Sequence, residues 1–85
     1  MTADDIRALL ESALQLDELI VKAEGSHANI VAVGDIFADL SRVKKQQVVY
    51  APLKEMIADG SLHAVTIKTY TPKEWQREKK LALLS

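Results

Sequence analysis

Thr71-Pro72-Lys73-Glu74 is the local signal that most limits how this chain can fold. Threonine accepts the amide of the residue three positions on. Proline suits the first helical position, and glutamate at the third returns a bond to the threonine amide. A helix must therefore start at residue 72, directly behind the segment Ser61-Leu62-His63-Ala64-Val65-Thr66-Ile67-Lys68-Thr69-Tyr70, whose apolar and polar residues alternate. That period of two predicts a strand over 62–70, with Val65 and Ile67 towards a core and Ala64, Thr66 and Lys68 the other way, Lys68 in water. The helix behind it is predicted over about 72–83. It is basic, and Trp75 and Leu81 are its candidate anchors.

The remaining elements follow from similar signals. Ile6, Leu9, Leu10, Ala13 and Leu14 recur at helical spacing and predict a helix over 3–14, with Thr2 and Asp5 at its start. Leu19 to Glu24 reads as a short strand. Gly25 and Ser26 punctuate it, His27 sits in that turn-like run, and 28–34 reads as a second strand, a hairpin pattern. Ile30 to Val33 is continuously apolar, so periodicity leaves its two faces undecided. Gly34-Asp35 is a bulge or turn, and Ile36, Phe37 and Leu40 are core candidates on a short helical or irregular turn. Ser41 caps a helix at Arg42. Pro52 cannot sit in a helix interior, so two helices are expected, about 42–50 and 52–59, with Gly60 as the stop.

The order is α-β-β-α-α-β-α. It predicts an α/β (α+β) fold, a three-stranded sheet with helices on one face, as a single domain over residues 1–85. The N-terminus lacks a signal-peptide pattern, and no apolar run reaches the roughly 20 residues needed to cross a bilayer. A cytoplasmic, non-membrane setting fits. Residues 1–41 hold eight acids and two bases, whereas residues 42–85 hold four acids and nine bases. A split of that kind orients an encounter with a charged partner.

The chain contains no cysteine and two histidines, His27 and His63. Thiol catalysis and disulfides are excluded. No Walker loop or dinucleotide fingerprint occurs, and Ser26-His27 are chain neighbours rather than a packed nucleophile and base, so an enzyme is not expected. Any metal chemistry passes through two imidazoles that cannot complete a coordination sphere, which implies a site shared with a partner. Asp35 is a hard ligand in principle, but no signal brings it near them.

GSHANIVAVGDIF, SRVKKQQVVYAPL and LHAVTIKTYTPKEW together resemble the BolA family, and the VKKQQ run resembles its acid-stress-linked IbaG branch. The likeness extends from the first helix to beyond Trp75. It implies a fold like a type II K-homology domain. It also implies partnership with a monothiol glutaredoxin in iron–sulfur trafficking and stress response. A [2Fe–2S] cluster would bridge the two proteins, with cysteine and glutathione thiolates on the glutaredoxin side. His63 falls on the family's C-terminal histidine, and His27 falls in or beside the loop that supplies a second ligand. No cofactor is expected to be needed for folding.

Family members are also described as DNA-binding regulators. Arg42, Lys44, Lys45, Lys73 and Arg77 are the candidate residues for nucleic acid or an acidic partner. The central helix has Val43-Lys44-Lys45-Gln46-Gln47 where many relatives carry Arg-His-Arg. The Gly-x-x-Gly clamp of K-homology domains is absent, the junction reading Val49-Tyr50-Ala51-Pro52. The second of the paired helices is poorly charged for base reading. Weak homodimers through an open sheet edge are compatible with this architecture.

Overall fold

Local caps set the helix starts. At residue 2 the Thr2 hydroxyl accepts from the Asp5 amide at 3.2 Å, and the Asp5 carboxylate accepts from the Thr2 amide at 2.8 Å. The computed structural model describes residues 2–84. Its elements are α1 (Ala3–Ala13), β1 (Glu18–Glu24), β2 (His27–Val33), a 3-10 turn (Asp35–Phe37), α2 (Arg42–Tyr50), a second 3-10 turn (Ala51–Leu53), α3 (Lys54–Ala58), β3 (Ala64–Tyr70) and α4 (Pro72–Leu84). The predicted order holds.

Of the α1 stripe, Ile6 and Leu10 are fully buried, whereas Leu9 and Ala13 are exposed. The helix meets the sheet along a narrow seam. Arg7 ties it down by donating to the Leu19 carbonyl at 2.8 Å.

β1 and β2 form an antiparallel hairpin in which Glu24 pairs with His27. The turn is only Gly25-Ser26. Gly25 has φ +59, the positive value that a two-residue hairpin of this kind demands at its first position. His27 is therefore the first residue of β2 rather than a turn residue, which corrects the sequence expectation. Gly34 falls one residue past β2, still extended, and its amide donates to the Tyr70 carbonyl at 3.0 Å as the last bond of the β2–β3 ladder. A Cβ at Gly34 would lie 3.3 Å from the Gln15 carbonyl oxygen, which accounts for the glycine.

The sheet order is β1-β2-β3, and β3 lies parallel to β2 with Ala28 beside Val65 and Ile30 beside Ile67. Ala28, Ile30 and Ala32 are fully buried on the helix side, and Val31 is half-buried on the other. This resolves the continuous apolar run into two faces. The open face presents the rows Glu24-His27-Ala64, Lys22-Asn29-Thr66 and Ile20-Val31-Lys68.

Pro52 breaks the paired helices more gently than expected. Without an N–H it cannot continue the α-helical ladder, and the chain tightens into one 3-10 turn before α3 resumes at Lys54. The second helix thus begins two residues later than the predicted 52. Gly60, at φ +85, ends it. The Gly60 amide donates to the Ile57 carbonyl at 3.3 Å and the Leu62 amide to the Met56 carbonyl at 3.0 Å. Leu62 is buried as a plug, so β3 starts at Ala64 rather than 62.

Phe37, Val49, Leu53 and Leu62 close the core against Ile6, Leu10 and the sheet. No polar or charged side chain is buried among the described residues. Ile36 is exposed and Leu40 half-buried, so only Phe37 of that trio is deep core. In α4 the expected box forms: the Thr71 hydroxyl accepts from the Glu74 amide at 3.2 Å, and Glu74 accepts from the Thr71 amide at 2.8 Å. Trp75 packs on Tyr70 with ring centroids 5.4 Å apart. Leu81 is 56% exposed and anchors nothing in this fold. No helix among the described residues is long and apolar enough to cross a membrane.

Candidate functional site

The parallel pairing of β2 and β3 brings both histidines to one end of the sheet. The His63 amide donates to the Ser26 carbonyl at 2.8 Å, and Ala64, the next residue, stands opposite His27. Both histidines are exposed. His27 lies on the open face, in a shallow depression lined also by Lys22, Glu24 and Asn29. His63 precedes the ladder, and its imidazole lies beside the turn that ends α3: a Cβ on Gly60 would sit 3.8 Å from its Nε2. The two rings thus leave neighbouring backbone positions towards different sides of the sheet end. Asp59, next to this turn, is held below the usual carboxylate range by hydrogen bonds from Ser61, whose amide donates at 2.8 Å.

Asp35 lies beyond the other end of β2, about 20 Å of strand from His27 by the rise of an extended chain. It is not a co-ligand. Among the described residues no group of three or more His, Asp or Glu side chains is placed to hold a metal ion.

The basic candidates do not form one surface. Arg42 and Lys45, on the first turn of α2, line a groove beside β3 with Gln46, Lys68, Thr69 and Tyr70. Lys44 is exposed outside it. Lys73 and Arg77 are exposed on α4. Glu74 is held below its ordinary value, first by its Thr71 hydrogen bonds and then by the nearby charges of Lys45 and Arg77. The Tyr70 hydroxyl is pushed up by burial and by Glu78 and Glu74. Alternation assigns Lys68 only a face; its place in the groove depends on α2, which reaches that strand through a long-range contact. The Trp75 indole N–H is buried without a partner among the described residues.

Comparison with known proteins agrees with this architecture. The sequence model of a family described as BolA-like protein matches residues 7–74. The acid stress protein IbaG of Escherichia coli K12 is 53% identical over 81 residues, which cover 95% of this chain and 96% of that one. The solution structure of BolA1 from Mus musculus superposes with a TM-score of 0.80 at 28% identity, covering 91% of this chain and 70% of that one. The solution structure of yeast Fra2 gives a TM-score of 0.70 at 31% identity, covering 88% and 84%. This chain belongs to the BolA family, a non-catalytic one, and lies within its IbaG branch.

Proposed function

We propose that this chain is a non-enzymatic adaptor that shares a [2Fe–2S] cluster with a monothiol glutaredoxin, in iron–sulfur homeostasis and acid-stress response. His63 is the principal ligand from this side and His27 the second. The glutaredoxin contributes its cysteine and bound glutathione. The observation that carries this reading is the Ser26–His63 backbone bond, which sets two exposed imidazoles on adjoining strand ends. A neutral imidazole ligates iron and raises the potential of a [2Fe–2S] centre relative to thiolate ligation. Its protonation competes with the metal, which makes such a centre sensitive to mild acid.

The test is spectroscopic. Mixing the protein with a cluster-loaded monothiol glutaredoxin should change the visible absorption and circular dichroism of the cluster. His63→Ala should remove most of that change, and His27→Ala a smaller part. A spectrum from the His63→Ala mixture that matches the wild-type one sinks the ligand assignment.

A second reading is a DNA-binding regulator, supported by exposed Arg42 and Lys44 at the start of α2. It has less to rest on. α3, which would read bases, spans five residues and carries one lysine and one glutamate. Salt-titrated binding to duplex DNA separates the two. Loss of Lys44 should flatten the salt slope if phosphate contacts carry affinity.

A further inference from the structure

β3 is an edge strand, and its outer edge is unusual in what faces it. The Tyr70 carbonyl accepts from the Gly34 amide on the inner side, so it points towards the body of the sheet. Peptide groups of successive strand residues point to opposite sides. The backbone groups of Thr69 and Ile67 therefore point outward, and the Ile67 carbonyl accepts from the Gln46 side chain of α2 at 3.0 Å. Arg42 and Lys45 from α2 and Lys68 from β3 line, together with Thr69, a groove of about 370 Å³ along this edge.

None of these three cations forms an ion pair among the described residues. No carboxylate lines the groove. Glu74 is near enough to feel Lys45, but its oxygen is engaged by the Thr71 amide. The first turn of α2 carries no acid at all. Cations there are opposed by the positive end of the helix dipole. Only Lys45 of the three has a carboxylate near it, and that one lies outside the recess, so an oxyanion within it would supply the counter-charge its lining lacks.

We propose that this groove binds a compact phosphate monoester, held by Arg42, Lys45 and Lys68 together with the outward amide of Thr69. Arginine offers a forked donor pair that matches phosphate oxygens, and lysines supply point charge. Three converging cations suit a dianion better than the singly charged diester of a nucleic-acid backbone. The groove falls within the roughly 300–1,000 Å³ range of small-ligand sites. An added peptide strand is disfavoured, because Gln46 already caps the outward Ile67 carbonyl. The site lies at the Tyr70 end of β3, about 20 Å of strand from His63, so it is separate from the proposed cluster ligands.

The test is a titration of ¹⁵N-labelled protein with glucose 6-phosphate at fixed ionic strength, read by amide shifts. Parallel arms use inorganic phosphate and a short DNA duplex. Saturable shifts centred on Arg42, Gln46 and Thr69 are expected, with the His27 and His63 amides still. Affinity should fall by about tenfold or more in Lys68→Gln. It should be unchanged in Lys79→Gln, and weaker at about pH 5, where the monoester has lost its second charge. Inorganic phosphate acting as well as the ester would assign the site to the free ion rather than to an esterified ligand, and overturn the ester. The proposal also fails if glucose 6-phosphate gives no saturable shift, if Lys68→Gln binds as wild type while its melt is unchanged, or if only the duplex perturbs these amides.

Discussion

The His63 amide donates to the Ser26 carbonyl across 2.8 Å, and this bond makes His63 and His27 spatial neighbours although the whole helical crossover separates them in sequence. The position of His63 relative to His27 depends on how firmly the turn before β3 is held.

Gly60 controls that turn. At φ +85 an L-residue is strained whatever the surrounding space, and a Cβ there meets the His63 ring only at an ordinary 3.8 Å. Gly60→Ala should destabilise the fold by about 1–2 kcal/mol, from backbone strain rather than collision. Urea denaturation measures this, and a variant as stable as wild type would show that the turn relaxes freely.

The core should be intolerant of voids. Leu53 is fully buried in the 3-10 turn between α2 and α3, against Ile6 and Leu10 of α1 and Val49. Leu53→Ala is expected to cost about 2–5 kcal/mol. In a chain this short that consumes much of the total stability, so a thermal melt should move down sharply or lose its cooperativity.

The capping box of α4 makes stability depend on acid. Folding lowers the Glu74 pKa from its ordinary 4.5, through the Thr71 hydrogen bonds first. The unfolded chain then binds the proton more tightly, so this contribution is complete above 4.5 and disappears as pH falls through the depressed folded value. Glu74→Gln should flatten the acid limb of the stability profile, measured by urea midpoints from neutral pH downwards. Thr71→Ala should cost about 1 kcal/mol at neutral pH.

Metal should be dispensable for folding. The described core is apolar throughout, and neither histidine belongs to it. A chelator-treated sample is expected to keep its far-ultraviolet circular dichroism and its melting transition. Collapse on chelation would make His27 and His63 structural ligands instead.

Features decided within a few residues were legible in the sequence. The boxes at Thr2 and Thr71, the stop at Gly60 and the outward face of Thr66 and Lys68 all follow from neighbours three or fewer positions away. Features decided across the fold were not. Nothing near Ile67 signals that β3 pairs parallel to β2, or that Gln46 caps its carbonyl. The sequence places His27 in the turn, because a two-residue turn at Gly25-Ser26 looks, in sequence, like a longer one. Pro52 signals a break, but not that the chain merely tightens into one 3-10 turn there before α3 resumes. For the histidines, the sequence supplied the residue types and the register supplied their proximity.

The β1–β2 hairpin closes over two residues, whereas β3 joins it only after the chain has laid down everything from 34 to 63. Closing a long connection carries an entropic cost that the local hairpin avoids. A chain arrested with its hairpin formed would display one imidazole; the finished molecule displays two. Two imidazoles at one end of the sheet are thus a property of the completed β3 and not of the hairpin alone.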